Sequence, residues 1–139
     1  MNDAALINEL LTGERTIAVV GYSTDPTRPS NSVSRYLRGQ GFRIIPVNPK
    51  LRGAVIDGER SYDHLVDIPA GDRVDLADIF RRGEFLDDVV NDAIAAKIPA
   101  LWFQLDLRNV GAAQRAEAAG LRVVWDRCTA IEHRRLRAG

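Results

Sequence analysis

The chain has little sulfur and no excess of charge of either sign. Cys128 is the one cysteine among 139 residues, and there are two histidines. A single thiol excludes an internal disulfide framework and a metal site built from several thiolates, and it is typical of a reducing compartment. Lysine plus arginine and aspartate plus glutamate both number 19. The chain therefore lacks the overall positive charge of nucleic-acid-binding proteins, and any anion site has to be local.

Long apolar runs are also missing. The amino terminus shows no basic region followed by an apolar core, so no secretory signal is predicted. The longest apolar stretch, residues 94–105, is interrupted by Lys97, Pro99 and Gln104. It is shorter than the roughly 20 residues that cross a bilayer. We therefore expect a cytoplasmic protein that does not bind membranes, folded as a single domain over residues 1–139.

Five short apolar runs, separated by polar segments, predict β-strands. The first is continuous and rich in β-branched residues, as in strands that are covered on both faces of a parallel sheet. The predicted strands occupy residues 16–20, 42–47, 74–80, 100–103 and 121–125.

Apolar residues at helical spacing lie before, between and after these runs. The segment 48–73 is the exception, because prolines and glycines interrupt it, and it predicts only a hairpin at 55–60 and a helical turn at 62–65. Alternating strands and helices imply an α/β protein, a three-layer, Rossmann-like, doubly wound parallel sheet of about five strands. We expect the strand order 3-2-1-4-5. The helical segments fall within residues 1–14, 33–37, 85–94, 110–119 and 129–139, the last of which is basic.

The loop after the first strand carries residue types suited to phosphate. In open α/β sheets, ligands bind beyond the carboxyl ends of the strands, where the winding reverses. Gly21 permits close backbone approach, and Ser23 and Ser30 offer hydroxyls beside the start of the next helix, whose free N–H groups attract anions. In the alternative interpretation, Gly21 only makes a tight turn and Ser30 only caps the helix.

Two missing motifs narrow the class of ligand. The loop is neither G-x-G-x-x-G nor a P-loop, and the second strand ends in Val47-Asn48-Pro49-Lys50, without the acid that binds an NAD ribose. Ordinary dinucleotide binding is therefore disfavoured. Lys50 places a cation where that acid would stand, which favours a ligand with an additional phosphate. The alternative is that Lys50 is a solvated loop lysine.

The third and fourth strands end in further candidate ligand-binding residues. Arg81 and Arg82 follow Phe80 and are suited to bidentate phosphate contacts, or they balance the acidic segment 57–92. Phe80 and Val47 are candidates for the apolar wall around a base. Gln104 is a candidate hydrogen-bond partner for a ligand amide, or for a neighbouring loop.

Six segments, taken in order, resemble the small stand-alone CoA-binding proteins, which are similar to the CoA-binding domain of the succinyl-CoA synthetase alpha subunit. The resemblance extends over about residues 16–136. The segments are Val20-Gly21-Tyr22-Ser23 with Arg28-Pro29-Ser30, Gly41-Phe42-Arg43-Ile44-Ile45-Pro46-Val47-Asn48-Pro49-Lys50, Asp78-Ile79-Phe80-Arg81-Arg82, Trp102-Phe103-Gln104-Leu105, Ala116-Glu117-Ala118-Ala119-Gly120-Leu121 and Asp126-Arg127-Cys128.

This resemblance implies a Rossmann-type domain that binds coenzyme A or an acyl-CoA, as a carrier, sensor or regulator without catalysis of its own. The synthetase keeps its phosphorylated histidine and its nucleotide-activating parts in other domains. The residues implied at the phosphates are Gly21 and Ser23, with Arg28, Ser30 and Asn31 beside them. Those implied at the nucleotide end are Asn48, Pro49 and Lys50, and those at the remaining edge are Phe80, Arg81 and Gln104. Tyr22 and Val47 complete the set of candidate cofactor-binding residues.

Three alternative functions remain open. In the first, the chain is an enzyme that acts on a CoA thioester or CoA disulfide, with Cys128 as the nucleophile activated by Arg127. In the second, it binds another adenine nucleotide such as NAD. In the third, it is an interaction protein, which forms a homo-oligomer or binds another protein through its basic carboxyl-terminal end. His64 and His133 are both interpreted as surface histidines away from the strand-end loops, and inert packing is the simpler role for Cys128.

Overall fold

A five-stranded parallel sheet runs through the computed structural model, which describes residues 2–104 and 109–139. Its strands are β1 (Thr16–Val20), β2 (Arg43–Val47), β5 (Leu76–Ile79), β6 (Ala100–Phe103) and β7 (Arg122–Val124). A separate antiparallel hairpin of β3 (Val55–Ile56) and β4 (Glu59–Arg60) confirms the hairpin expected there. The α/β, Rossmann-like fold class predicted from the sequence is confirmed.

In the described part of the chain, five α-helices and three 3₁₀ turns lie before, between and after the strands. The helical turn expected at 62–65 lies slightly later, at Leu65–Asp67. The other 3₁₀ turns are Pro49–Leu51 and Gly83–Phe85. The helices are α1 (Ala4–Leu10), α2 (Pro29–Gly39), α3 (Leu86–Ala95), α4 (Val110–Ala118) and α5 (Thr129–Ala138).

The expected strand order is wrong. The sheet has the order β2-β1-β5-β6-β7, so the third long strand lies beside the first and not beside the second. Strand β2 is therefore at the edge of the sheet, where a proline is tolerated because it donates no ladder bond. On its outer side, the Pro46 carbonyl accepts a hydrogen bond from the Tyr62 N–H at 3.1 Å.

Helices cover both faces of the sheet and make two apolar cores. One core joins α3 and α4 to side chains such as Leu101 and Phe103, and the other joins α1, α2 and α5 to side chains such as Ile17 and Trp102. Trp102 is fully buried and donates its indole N–H to the Arg127 carbonyl at 2.8 Å. In the described ranges, no helix is long and apolar enough to cross a membrane.

Candidate functional site

The carboxyl ends of β1, β2 and β5 meet at Gly21. The Gly21 N–H donates to the Val47 carbonyl at 2.8 Å, which holds the turn after β1 against β2. Gly21 has a φ of +83°, and a Cβ atom there would lie 3.1 Å from the Phe80 carbonyl oxygen that follows β5. Because the chain continues from β1 to β2 on one side and reaches β5 on the other, the winding reverses here.

The loop from Gly21 to α2 is held by its own polar side chains. The Ser23 N–H donates to Ser30 Oγ at 3.0 Å, and Asn31 Nδ2 donates to the Ser23 carbonyl at 2.9 Å. Asn48 Nδ2 donates to the Tyr22 carbonyl at 2.9 Å, which ties this loop to the end of β2. These contacts position the backbone of the loop beside the first turn of α2.

The interpretation of Ser30 as a simple helix cap is wrong. Helix α2 begins at Pro29 with Arg28 as its N-cap residue, and no side chain among the described residues caps it. The buried Ser30 hydroxyl instead accepts the Ser23 N–H. The Asn31 and Ser32 N–H groups in the first turn of this eleven-residue helix donate to the Arg28 carbonyl, at 3.0 and 3.1 Å.

Beyond these strand ends lies an open cleft of about 770 Å³, here called the anion cleft. It is bounded by the loop 21–30, the turn after β2 and the turn after β5. Its charged lining is mainly cationic, with Glu84 as the acid beside four basic residues. These four are Arg28, Lys50, Arg81 and Arg82.

A smaller cavity of about 260 Å³, here called the inner cavity, adjoins the anion cleft on the α3 side of the sheet. The two share Gly21, Asn48, Arg81 and Phe85. The Arg81 guanidinium carbon lies 4.2 Å from the centre of the Phe85 ring, a cation–π contact at this shared boundary. The apolar walls of the inner cavity are Val20, Val47, Leu65 and Val89.

Val47 and Phe80, which were expected to form one apolar wall, line different cavities. Val47 lines the inner cavity together with Pro49, whereas Phe80 lines the anion cleft and packs toward the core of α1, α2 and α5. Alternate residues along a strand point to opposite faces, and these two lie on opposite faces of the sheet.

Gln104 turns away from both cavities. Its side chain is buried, and its Nε2 donates to Asp78 Oδ1 and to Thr129 Oγ1. The Thr129 hydroxyl donates to the other Asp78 oxygen at 2.8 Å. Burial raises the pKa of Asp78 to about 7, although the hydrogen bonds that Asp78 accepts from Gln104 and Thr129 oppose this rise. Leu105, the last residue of the quoted segment, lies outside the described residues.

The two histidines differ from each other. His64 is exposed, as interpreted, but it lines the inner cavity and so lies beside the strand ends. The interpretation of His133 as a surface histidine is wrong. His133 is buried, its Nδ1 is 2.8 Å from the Tyr36 hydroxyl, and burial together with Arg137 lowers its pKa. Cys128 is the half-buried N-cap residue of α5, and the linings of the two cavities do not include it.

Sequence reasoning missed the acidic side of the inner cavity. Asp63 and His64 come from the irregular segment after the hairpin, and Asp88 and Asp92 come from one face of α3. The four-residue spacing of the two α3 acids was a usable signal, because it places them on the same side of a helix. Over residues 2–104 and 109–139, no three histidines, cysteines or acids are grouped to hold a metal ion.

Comparisons with known proteins found relatives of similar length and fold. The uncharacterized protein YneT of Bacillus subtilis is 35% identical over 129 residues, which are 93% of each chain. A Thermus thermophilus protein solved as cell-free ID.343 is 36% identical, with a TM-score of 0.90 over 96% of this chain and 98% of that one.

Part of a much larger enzyme has the same fold. A dinucleotide-forming acetyl-coenzyme A synthetase of Ca. Korarchaeum cryptofilum is 27% identical, with a TM-score of 0.70 over 91% of this chain and 28% of that one. The model of the CoA binding domain matches residues 15–134, which include every strand and loop of the site. The chain therefore belongs to the CoA-binding domain family.

Proposed function

We propose that the chain binds coenzyme A or an acyl-CoA across the anion cleft and the inner cavity. In this proposal it acts as a carrier, sensor or regulator and carries out no catalysis of its own. The observation that carries the proposal is the direct junction of a cationic cleft with a small apolar cavity at the winding reversal of the sheet. Coenzyme A has the matching parts, because its diphosphate and 3′-phosphate lie next to an adenine.

The phosphates belong in the anion cleft. Arg28, Lys50 and Arg81 supply positive charge there, and the start of α2 adds the positive end of its helix dipole. The adenine belongs in the inner cavity, whose apolar walls replace water around a flat ring. Lys50 in place of a ribose-binding acid favours a ligand with a third phosphate over NAD.

Calorimetry with coenzyme A, acetyl-CoA, NAD and ATP tests the proposal. We expect coenzyme A and acetyl-CoA to bind with similar affinity, and NAD to bind at least about tenfold more weakly because it has no 3′-phosphate to meet the cations. Mass spectrometry of ligand retained by the gently purified protein gives an independent readout. NAD binding as tight as coenzyme A binding would overturn the proposal.

Replacing Lys50 by methionine is expected to weaken coenzyme A binding about tenfold, the value of one charge-assisted contact to phosphate. The affinity for dephospho-CoA, which lacks the 3′-phosphate, should change much less. Lys50 lies in the Pro49–Leu51 turn, where its own N–H donates to Asn48 Oδ1 at 3.0 Å. Calorimetry with both ligands, on the unmodified protein and on Lys50→Met, measures how much each affinity changes.

The chain offers a matched control in its other lysine, Lys97. Lys97 follows α3 and precedes β6, which places it at the opposite edge of the sheet. Lys97→Met should leave both affinities unchanged. If Lys50→Met weakens coenzyme A and dephospho-CoA equally, Lys50 does not recognise the 3′-phosphate.

A further inference from the structure

The polar rim of the inner cavity is acidic, in contrast to the anion cleft beside it. Asp63, Asp88 and Asp92 line it together with His64. The preceding acid on α3, Asp87, faces elsewhere, because it accepts a hydrogen bond from Arg115 Nη1 at 2.7 Å. Within one site, the anion cleft is therefore mainly cationic and the inner cavity mainly acidic, with Arg81 at the boundary that they share.

This separation of charge orients the ligand. A phosphate in the inner cavity would be repelled by the carboxylates, whereas a group with N–H donors would be attracted. Of the two purine types, a 6-amino purine presents two such donors on its exocyclic nitrogen. A 6-oxo purine presents a carbonyl oxygen at the same place, and this acceptor would face another acceptor.

We infer that Asp92 selects a 6-amino purine, by accepting a hydrogen bond from the exocyclic amino group of the adenine, with Asp88 adding negative charge beside it. The inference rests on the proposed function, since it takes the adenine of coenzyme A to occupy the inner cavity. Asp92 is the more buried of the two α3 acids, so it keeps less water with which to satisfy its oxygens.

The surroundings of Asp92 agree with this role. Burial raises the pKa of Asp92, and the nearby Asp88 and Asp67 add to the rise, while His64 opposes it. Asp67 is already engaged, because it accepts the His64 N–H at 3.1 Å. A partly desolvated carboxylate among other acids is stabilised by a neutral donor. A site built to hydrogen-bond one polar group rejects the analogue that lacks it.

The test compares coenzyme A with its deaminated counterpart, in which hypoxanthine replaces adenine. Calorimetry at about pH 8 keeps the carboxylates ionised. We expect the unmodified protein to prefer coenzyme A by about tenfold or more. Asp92→Asn should reduce this preference to about threefold or less, because an asparagine side chain can turn its NH₂ toward a 6-oxo group.

Asp87→Asn is the matched control, with the same change of charge on the same helix. It should keep the full preference for coenzyme A. If the unmodified protein does not bind coenzyme A, the proposed function itself is wrong. If it binds both ligands equally, or if Asp92→Asn leaves the preference unchanged, selection by Asp92 is wrong and the proposed function still stands.

Discussion

Replacing Asp78 by asparagine is expected to raise the free energy of unfolding at about pH 8 by up to a few kcal/mol. Near pH 4 the same replacement should change the free energy of unfolding little. Asp78 is fully buried on β5, and its two oxygens accept hydrogen bonds from the neutral donors Gln104 and Thr129. Ionisation there places a negative charge among these contacts, and no cation of residues 2–104 and 109–139 acts on it. The same carboxyl in the unfolded chain ionises in water.

The direction of this pH dependence follows from the pKa values of Asp78 in the folded and in the unfolded chain. Burial raises the folded-state pKa to about 7, above the ordinary value of 3.8. Between these values the folded state holds a proton that the unfolded state has released, so that rising pH favours unfolding. The stability is fully present below about pH 4 and falls by roughly 1 kcal/mol per pH unit until the pH passes about 7.

Asparagine imitates the protonated acid. Its oxygen can accept from Gln104, and its NH₂ can donate to the Thr129 hydroxyl, which accepts as well as donates. Urea unfolding at several pH values between about 4 and 8 measures the difference between the two proteins. Taking this difference also cancels the contribution of His133, whose lowered pKa costs stability as the pH falls.

Asp78→Ala separates the charge from the hydrogen bonds. It also removes the ionisable group, but it leaves the buried Gln104 amide without its acceptor, so it should be less stable than Asp78→Asn at every pH. If the unfolding free energies of Asp78→Asn and the unmodified protein stay parallel across this pH range, the carboxyl does not ionise at a shifted pH in the folded state.

Much of the fold was predictable because each element depends on nearby residues. Continuous β-branched runs and helical spacing placed all five main strands and the helices between them. The strand order depends on how distant segments pair, and apolar runs say little about pairing. One signal for it was present in Pro46, because a strand that contains a proline belongs at an edge.

The candidate site was likewise predictable only where it depends on residues that directly follow the strands. The glycine turn and the cations that follow β1, β2 and β5 were predictable, since the carboxyl ends of parallel strands share one edge. The acidic rim of the inner cavity was not, because it needs α3 and the irregular segment around His64 to meet in space. Gln104 was placed correctly along the chain, yet its side chain turns into the core, where Asp78 binds it.

Replacing Gly21 by alanine is expected to destabilise the protein by about 2–3 kcal/mol and to weaken coenzyme A binding more than about a hundredfold. Two costs add here. An L residue is strained at a φ of +83°, and its Cβ atom would meet the Phe80 carbonyl oxygen at 3.1 Å and Arg81 Cδ at 3.2 Å. The Phe80 carbonyl and the Arg81 side chain must then give way by a few tenths of an ångström, at the boundary that both cavities share.

Gly13 provides the matched control for this prediction. It has nearly the same φ, +84°, but a Cβ atom there would meet no atom of the described residues within 4 Å. Gly13→Ala should therefore show only the backbone strain, about 1 kcal/mol, with coenzyme A binding unchanged. Urea unfolding and calorimetry on both variants separate the strain from the steric contact. If the two variants lose equal stability and both bind coenzyme A normally, the close approach of β1 and β5 at Gly21 does not shape the ligand site.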